Sequence, residues 1–430
     1  MLNQQQRLHN QKILIASNIA IIPLLTSFGG ADASILQLYA TNILSLKENE
    51  IGIVIGLPAL VLPLQLLGIY LVKRWGSKRV LMIGFALLFC LMPLMLIIPT
   101  VHKQNATLGF VFLCTTIVCM HFVHNVTNGV AFQPMIREST RPDERGWFFT
   151  KMRLFVNGFN LIFFATLYMT LGTQIEIQDY AWIILVLMIY CAFGGSIIYL
   201  FKSPVDENFS ALSGHHFWHE IPKPFANNQY RLLMTIFILG SLSSLPLFVT
   251  YLSLGLQLDV SQISQLITLN IGGTLIGLFV WGLLIDRLGF MRVLYDILLL
   301  LVVISPLWLF VQPMALPSWS QLSLIVLGLI AVFTGFLQSG FKMALLVGVH
   351  NTVTKQTAVV ALTFFNTGGM ILNSLLAISV GFYLSYTLET GTIIFGAVSI
   401  DSYQMICLLG AFLCLVSAML CRHAQPTLPQ

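Results

Sequence analysis

Residues 282–292 read Gly-Leu-Leu-Ile-Asp-Arg-Leu-Gly-Phe-Met-Arg, and they follow a long apolar run. A related stretch lies in the first half of the chain, where residues 68–79 read Gly-Ile-Tyr-Leu-Val-Lys-Arg-Trp-Gly-Ser-Lys-Arg. The arginine-glycine pair at positions 74 and 76 recurs 213 positions later, close to half of the 430 residues. This recurrence indicates that the chain consists of two similar halves.

The composition excludes an ordinary soluble protein. Hydrophobic residues make up 57% of the chain and charged residues only 9%, whereas about a quarter of the residues of a soluble domain are charged. The mean hydropathy is +0.87. Since a membrane-spanning helix needs about 20 apolar residues, the chain has room for about a dozen of them.

Apolar runs between charged or turn-rich breaks predict an all-α integral membrane protein with twelve transmembrane helices in two pseudo-symmetric six-helix bundles. We number these helices spans 1 to 12. Spans 1 to 6 are expected at 13–41, 51–72, 80–100, 107–131, 153–172 and 180–201, and spans 7 to 12 at 231–256, 263–285, 293–313, 321–348, 357–386 and 402–421. The pattern predicts an N-terminal bundle of residues 1–201, a polar cytoplasmic linker of residues 202–230 and a C-terminal bundle of residues 231–430.

The distribution of basic residues predicts the orientation, because cytoplasmic loops hold an excess of lysine and arginine. With the amino terminus inside, eighteen of the 21 basic residues fall in inner segments. Only Lys47 and Lys103 fall outside, and Lys342 lies within span 10. We therefore expect both termini in the cytoplasm of a multi-pass protein of the cell inner membrane. The net charge of +5 then reflects topology and predicts no nucleic-acid partner.

The GxxxDRxG pattern of residues 282–289 resembles a signature of the major facilitator superfamily of secondary transporters, where it occurs between spans 2 and 3 and again between spans 8 and 9. The first copy departs from the pattern, since Lys73 replaces the acid and Gly68 is one residue out of register. The resemblance implies that spans 1, 4, 7 and 10 line a central cavity. It also implies a cytoplasmic gating latch, to which we assign Asp286, Arg287, Gly289, Lys73 and Arg74.

One face of span 4 carries polar residues. His121, His124, Asn125 and Asn128 are spaced i, i+3, i+4 and i+7, which places them on one side of a helix. One interpretation is a cavity wall that binds solute and, through an imidazole, carries a proton. The alternative is packing against another helix, with interhelical hydrogen bonds satisfying the four side chains.

Charged residues inside other spans are further candidates, because a charge in the bilayer is costly and usually serves a function. Lys342 follows Gln338 by one turn in span 10. The lysine is expected either to attract an anionic group of the solute or to extend its ammonium group to the headgroups. Asp32 in span 1 is expected either to take up the coupled proton or to be hydrogen-bonded at a turn after Gly29 and Gly30.

These features predict secondary active transport of a small anionic or zwitterionic organic solute by alternating access, with proton coupling as in a symporter. The expected partners are the solute, protons and the lipid bilayer, and we expect a functional monomer. No GxxxxGK[ST] loop for ATP is present, and no cofactor or metal is expected, the cluster of His215, His216 and His219 being incomplete as a metal site. The alternative is a multispan membrane transferase that uses His121 or His124 as a base.

Overall fold

The computed structural model describes residues 3–28, 33–141, 145–171, 176–202, 224–241, 247–311, 320–352, 358–390, 393–395 and 398–424. They form two compact units. The first unit holds the described residues up to 202, except for 47–52 and 167–169, which group with the second unit from residue 224 onward. The linker remains a prediction, because residues 203–223 lie outside the described residues.

Helices coincide with each of the first six predicted spans. They are Gln4–Phe28, Ser34–Leu38 and the π-helical Tyr39–Ile43 in span 1; Glu48–Gly56, the 3₁₀-helical Leu57–Leu64 and Gln65–Trp75 in span 2; Ser77–Leu91 and Leu94–Gln104 in span 3; Ala106–Ser139 in span 4; Arg145–Thr170 in span 5; and Ile177–Tyr199 in span 6. In span 1, Ala33 is not helical and precedes the second helical stretch, while residues 29–32 lie outside the described residues.

The last six spans are helical as well. After the 3₁₀ turn Pro224–Ala226, the helices are Asn228–Gly240, Phe248–Thr250 and the π-helical Tyr251–Gly255 in span 7; Val260–Leu288 in span 8; Phe290–Ile304 and the 3₁₀-helical Ser305–Phe310 in span 9; Ser320–Thr352 in span 10; Ala358–Thr390 in span 11; and Ser402–Ala424 in span 12.

Nine helices in the described part of the chain have the length and composition to cross a membrane, and they lie in spans 1, 3, 4, 5, 6, 8, 9, 10 and 12. Span 2 is interrupted by its 3₁₀ segment, which contains Pro58 and Pro63. Each proline removes a backbone donor and disfavours a regular α-helix. The described helix of span 7 ends at Gly240. In span 11 the apolar stretch Ile371–Thr387 is part of the longer helix Ala358–Thr390.

The two units repeat the same backbone details. Gly76 and Gly289, which join spans 2 and 3 and spans 8 and 9, have φ of 79° and 81°. Glycine suits these positions because it has no Cβ to clash at positive φ. Spans 1 and 7 both end in a π-helical turn that starts at a buried tyrosine, Tyr39 or Tyr251. The repeated motif thus corresponds to a repeated structure.

One short hairpin was not expected from the sequence. Ile393–Phe395 pairs antiparallel with Val398–Ile400, with Ile393 opposite Ile400. Both strands are rich in β-branched residues, which favour strands. The hairpin precedes span 12. Its two strands are the β-structure in the described part of the chain.

Spans 8 and 10 pack closely within the second unit. A Cβ added to Gly335 would lie 2.0 Å from the carbonyl oxygen of Asn270, so the two backbones touch because glycine leaves room. Three side chains of span 8 also donate hydrogen bonds to span 10: Asn270 to the Ala331 carbonyl at 3.0 Å, Thr274 to the Gly335 carbonyl at 3.3 Å, and Trp281 to the Phe336 carbonyl at 2.9 Å.

Candidate solute-binding site

Span 4 holds its polar face inside the first unit. Its helix begins after Asn105, whose side chain accepts a hydrogen bond from the Leu108 N–H at 3.0 Å and so caps the helix. Side-chain exposure is 7% for His121, 5% for Asn125 and 7% for Asn128. The i, i+3, i+4, i+7 face is therefore directed into the protein and not toward lipid.

A cavity of about 200 Å³ lies against this face. Its walls come from spans 1, 3 and 4 and consist of Ser17, Asn18, Ile21, Leu25, Phe85, His124, Asn128, Gly129 and Phe132. The fold thus brings His124 and Asn128 together on one wall, one helical turn apart. Aromatic rings and amide groups share the surface, which is a common composition for a small-molecule site.

Three nitrogen atoms on span 4 are buried without a hydrogen-bond partner among the described residues. They are Nδ1 of His124, Nδ2 of Asn125 and Nδ2 of Asn128. An unsatisfied buried polar group costs about 1–3 kcal/mol. Two of these residues line the cavity, so a polar solute or water in that space can relieve the cost.

His121 differs from His124. Its Nε2 lies 3.2 Å from the carbonyl oxygen of Phe28, the last residue of the first helix in span 1. It borders a second, much smaller void, which is lined by Leu24, Leu25, Phe28, Leu88, Met120, His121 and His124. The two histidines therefore have different surroundings although they lie on the same face.

Sequence reasoning did not select Asn18 or Gln65. Asn18 lines the cavity, and its Nδ2 lies 3.2 Å from Sδ of Met152. The Nε2 atom of Gln65, in span 2, lies 3.0 Å from the place of a Cβ on Gly129. Both residues are amides inside apolar runs. Because burying an amide costs free energy unless it is hydrogen-bonded, their positions could have been noticed in the sequence.

Of the remaining predicted solute and proton residues, two belong to the second unit and one is outside the described residues. Gln338 is half-buried and Lys342 is exposed on the span 10 helix. That helix belongs to the second unit, so the cavity above is formed without them. Asp32 lies outside the described residues, as do His215, His216 and His219. Within the described ranges, no three potential ligands among His, Cys, Asp and Glu are grouped to hold a metal ion.

The predicted latch residues lie at the helix ends where span 2 meets span 3 and span 8 meets span 9. Asp286 and Arg287 are exposed in the last turn of the span 8 helix, and the Gly289 N–H donates to the Ile285 carbonyl at 2.9 Å. Arg74 is exposed and donates to the Tyr70 hydroxyl at 3.3 Å. Lys73 lies in the helix Gln65–Trp75. Their gating role remains a prediction.

Comparisons with known proteins agree with this architecture. The model of the Major Facilitator Superfamily matches residues 18–377. Two crystal structures of the nucleoside transporter NupG share the fold, each at 14% identity. The mutant form covers 98% of this chain and 100% of its own, with a TM-score of 0.72. The other structure covers 98% and 99%, with a TM-score of 0.65.

No curated protein sequence matches the chain significantly. The family match nevertheless covers most of the chain, and the structural match extends over all twelve spans. The alternative of a membrane transferase is therefore wrong. The chain belongs to the major facilitator superfamily, with its twelve-helix fold, and is a multi-pass membrane transporter of a small solute.

Proposed function

We propose that the protein carries out secondary active transport of a small polar organic solute by alternating access, and that the solute binds in the cavity between spans 1, 3 and 4. The observation that carries this proposal is the pair of buried nitrogen atoms on the cavity wall, Nδ1 of His124 and Nδ2 of Asn128. Neither has a hydrogen-bond partner in the described part of the chain. A solute with hydrogen-bonding groups would satisfy both.

The cavity favours an uncharged, ring-bearing solute such as a nucleoside. Phe85 and Phe132 offer apolar ring faces, while Asn18, His124 and Asn128 offer polar groups. The lining residues include no carboxylate and no lysine or arginine. The similar structures, although distant in sequence, are of a nucleoside transporter. These points support a nucleoside-like substrate.

An anionic or zwitterionic solute is the second candidate. Lys342 lies in span 10, a span that the family resemblance assigns to the central cavity. Its ammonium group would pair with a carboxylate or phosphate. The two candidates differ in the charge of the solute, which competition experiments can separate.

Uptake into proteoliposomes tests the site and the substrate class together. Labelled uridine and adenosine should accumulate, and unlabelled nucleosides should compete better than small carboxylates. Asn128→Leu should reduce uptake at least about tenfold, since it removes the amide and leaves polar solute groups unpaired. Asn157→Leu is the matched control. The side-chain amide of Asn157 donates to the backbone carbonyl of Arg153 in its own helix at 2.9 Å, and Asn157 is not among the residues that line the cavity. Equal losses in both variants would contradict the proposed site.

Proton coupling is assigned to the histidines of span 4, with Asp32 as the alternative. His124→Gln should keep solute exchange but lose uphill accumulation driven by a pH gradient, because glutamine hydrogen-bonds but does not titrate. Uphill transport at the wild-type level by the double variant His121→Gln, His124→Gln would exclude imidazole coupling and transfer the role to Asp32.

The proposed topology places both termini in the cytoplasm of the cell inner membrane. Gln104, at the exposed end of the helix Leu94–Gln104, should then face the outside. A reporter enzyme fused at Gln104 should be active only in the external compartment. A cytoplasmic signal from this fusion would overturn the orientation.

A further inference from the structure

The described part of the first helix of span 1 stops at Phe28, inside the first unit, and we call its last described turn, residues 25–28, the end of the helix. Two carbonyl groups of this turn have partners outside the helix. A helix leaves its final four carbonyls without intrahelical partners. The Ser34 hydroxyl donates to the Thr26 carbonyl at 3.4 Å. His121 of span 4 contacts the Phe28 carbonyl at 3.2 Å. The end of the helix is therefore held from span 4 as well as from its own chain.

The His121 contact has a defined direction. A carbonyl oxygen only accepts hydrogen bonds, so Nε2 of His121 must carry the hydrogen and donate it to Phe28. The imidazole is only 7% exposed, so water competes little for this donor. This bond is a polar link between spans 1 and 4 at the end of that helix.

The end of the helix is close to the solute cavity. The small void beside Phe28 and His121 shares two wall residues, Leu25 and His124, with the 200 Å³ cavity. These two side chains therefore border both spaces. A movement of the end of the helix would therefore displace Leu25 and change the cavity wall.

We propose that His121 is a positioning residue that holds the end of the first helix of span 1 against span 4 and thereby closes this side of the solute cavity. His121 then acts on the rate of opening, while His124 and Asn128 contact the solute. The inference rests on the proposed function for the identity of the cavity, but the bond and its release are measurable without any solute.

A second contact at the same place supplies a matched control. The Thr26 hydroxyl donates to Oδ1 of Asn160 in span 5 at 3.0 Å. Thr26→Val removes this bond, together with the hydroxyl's contacts with the Ile22 and Pro23 carbonyls of its own helix. It disturbs the same turn but changes neither partner of the His121–Phe28 bond. It separates loss of the His121 bond from general loosening of the end of the helix.

The test measures maleimide labelling of Leu25→Cys in the purified full-length protein, with the same protein lacking Leu25→Cys as background for the native cysteines. His121→Leu should label about fivefold faster, which corresponds to the loss of one net hydrogen bond. His121→Gln retains an amide donor and should label at nearly the wild-type rate. Thr26→Val should produce a smaller increase than His121→Leu.

Equal labelling of the His121→Leu and His121→Gln variants would overturn the proposal. If His121→Leu fails to fold, His121→Met provides a second non-donating variant for the same comparison. Transport kinetics give an independent readout: His121→Leu should change the maximal rate while equilibrium binding of uridine stays within about twofold, and His121→Gln should restore the rate. Equal loss of binding in both variants would instead make His121 a solute ligand.

The outcomes separate this inference from the proposed function. If the wild-type protein transports no nucleoside but the Leu25→Cys labelling contrast is present, the positioning role stands and the substrate class fails. If uridine uptake depends on Asn128 but labelling is indifferent to His121, the binding site stands and the positioning role fails.

Discussion

Spans 4 and 10 are the fourth helices of the two repeats, yet they use the same face differently. Their helices have 34 and 33 residues. At an offset of 213 only some polar positions correspond, since His124 and Asn128 align with Leu337 and Phe341. In span 4 the face borders a cavity and carries buried nitrogen atoms that have no hydrogen-bond partner among the residues that the structure describes. In span 10 close contact with span 8 dominates. The corresponding pairs are His121 with Thr334, Asn125 with Gln338, and Gly129 with Lys342.

Glycine contacts illustrate the difference. At Gly335 of span 10, an added Cβ would meet the backbone of Asn270 at 2.0 Å. At Gly129 of span 4, it would meet the side-chain amide of Gln65 at 3.0 Å. A backbone cannot yield but a side chain can, so Gly335 tolerates no added methyl group while Gly129 faces a side chain that can move. The difference belongs to these two positions, since span 4 also has a tight backbone contact: a Cβ on Gly68 of span 2 would lie 2.1 Å from the Val126 carbonyl oxygen.

The largest expected effect is on stability. Gly335→Ala should destabilise the protein by about 1–3 kcal/mol or more, because the methyl group forces two helix backbones apart. Gly129→Ala should cost much less, since Gln65 can move. Thermal unfolding in detergent compares the two variants directly. Similar losses of stability in the two variants would contradict the expected difference between the two positions.

The next effect is on solute affinity. Asn128→Leu should weaken solute binding more than Gln338→Leu, because the Asn128 amide lines the cavity and its Nδ2 has no protein partner within the described residues. Isothermal titration or a thermal shift with uridine measures both variants. A larger loss in Gln338→Leu would move the main binding surface to the second unit.

The sequence predicted the twelve spans because hydrophobicity and length dictate them. It also selected the span 4 face, since four amides and imidazoles on one stripe are costly to bury. It did not separate His121 from His124, because the His121 bond depends on which backbone carbonyl of span 1 lies opposite the imidazole, and that is a matter of helix packing. Asn18 was missed because one amide produces no periodic pattern, and the hairpin at Ile393 was missed because its strands are too short for one.

Replacing Lys342 tests whether the solute is anionic or neutral. Lys342→Ala should weaken binding of an anionic solute at every pH, because removal of one partner leaves the other charge unpaired. It should leave binding of a neutral nucleoside nearly unchanged, since Lys342 does not line the first-unit cavity. Competition by carboxylates and nucleosides in the variant distinguishes the cases. Reduced uridine affinity in Lys342→Ala would count against a neutral solute bound only by the first unit.

The smallest effect concerns the two copies of the repeated loop. Asp286 lies in the last turn of the helix Val260–Leu288, where the negative end of the helix dipole disfavours a carboxylate by about 0.3–1 kcal/mol. If the acid serves the latch, Asp286→Asn should slow turnover and favour the inward-facing state while raising thermal stability slightly. Lys73→Ala should do less, because the first copy already lacks the acid. Cysteine accessibility from the two sides of the membrane measures the shift toward the inward-facing state, and thermal unfolding measures the gain in stability. Equal changes in turnover in Asp286→Asn and Lys73→Ala would show that the intact motif has no special role.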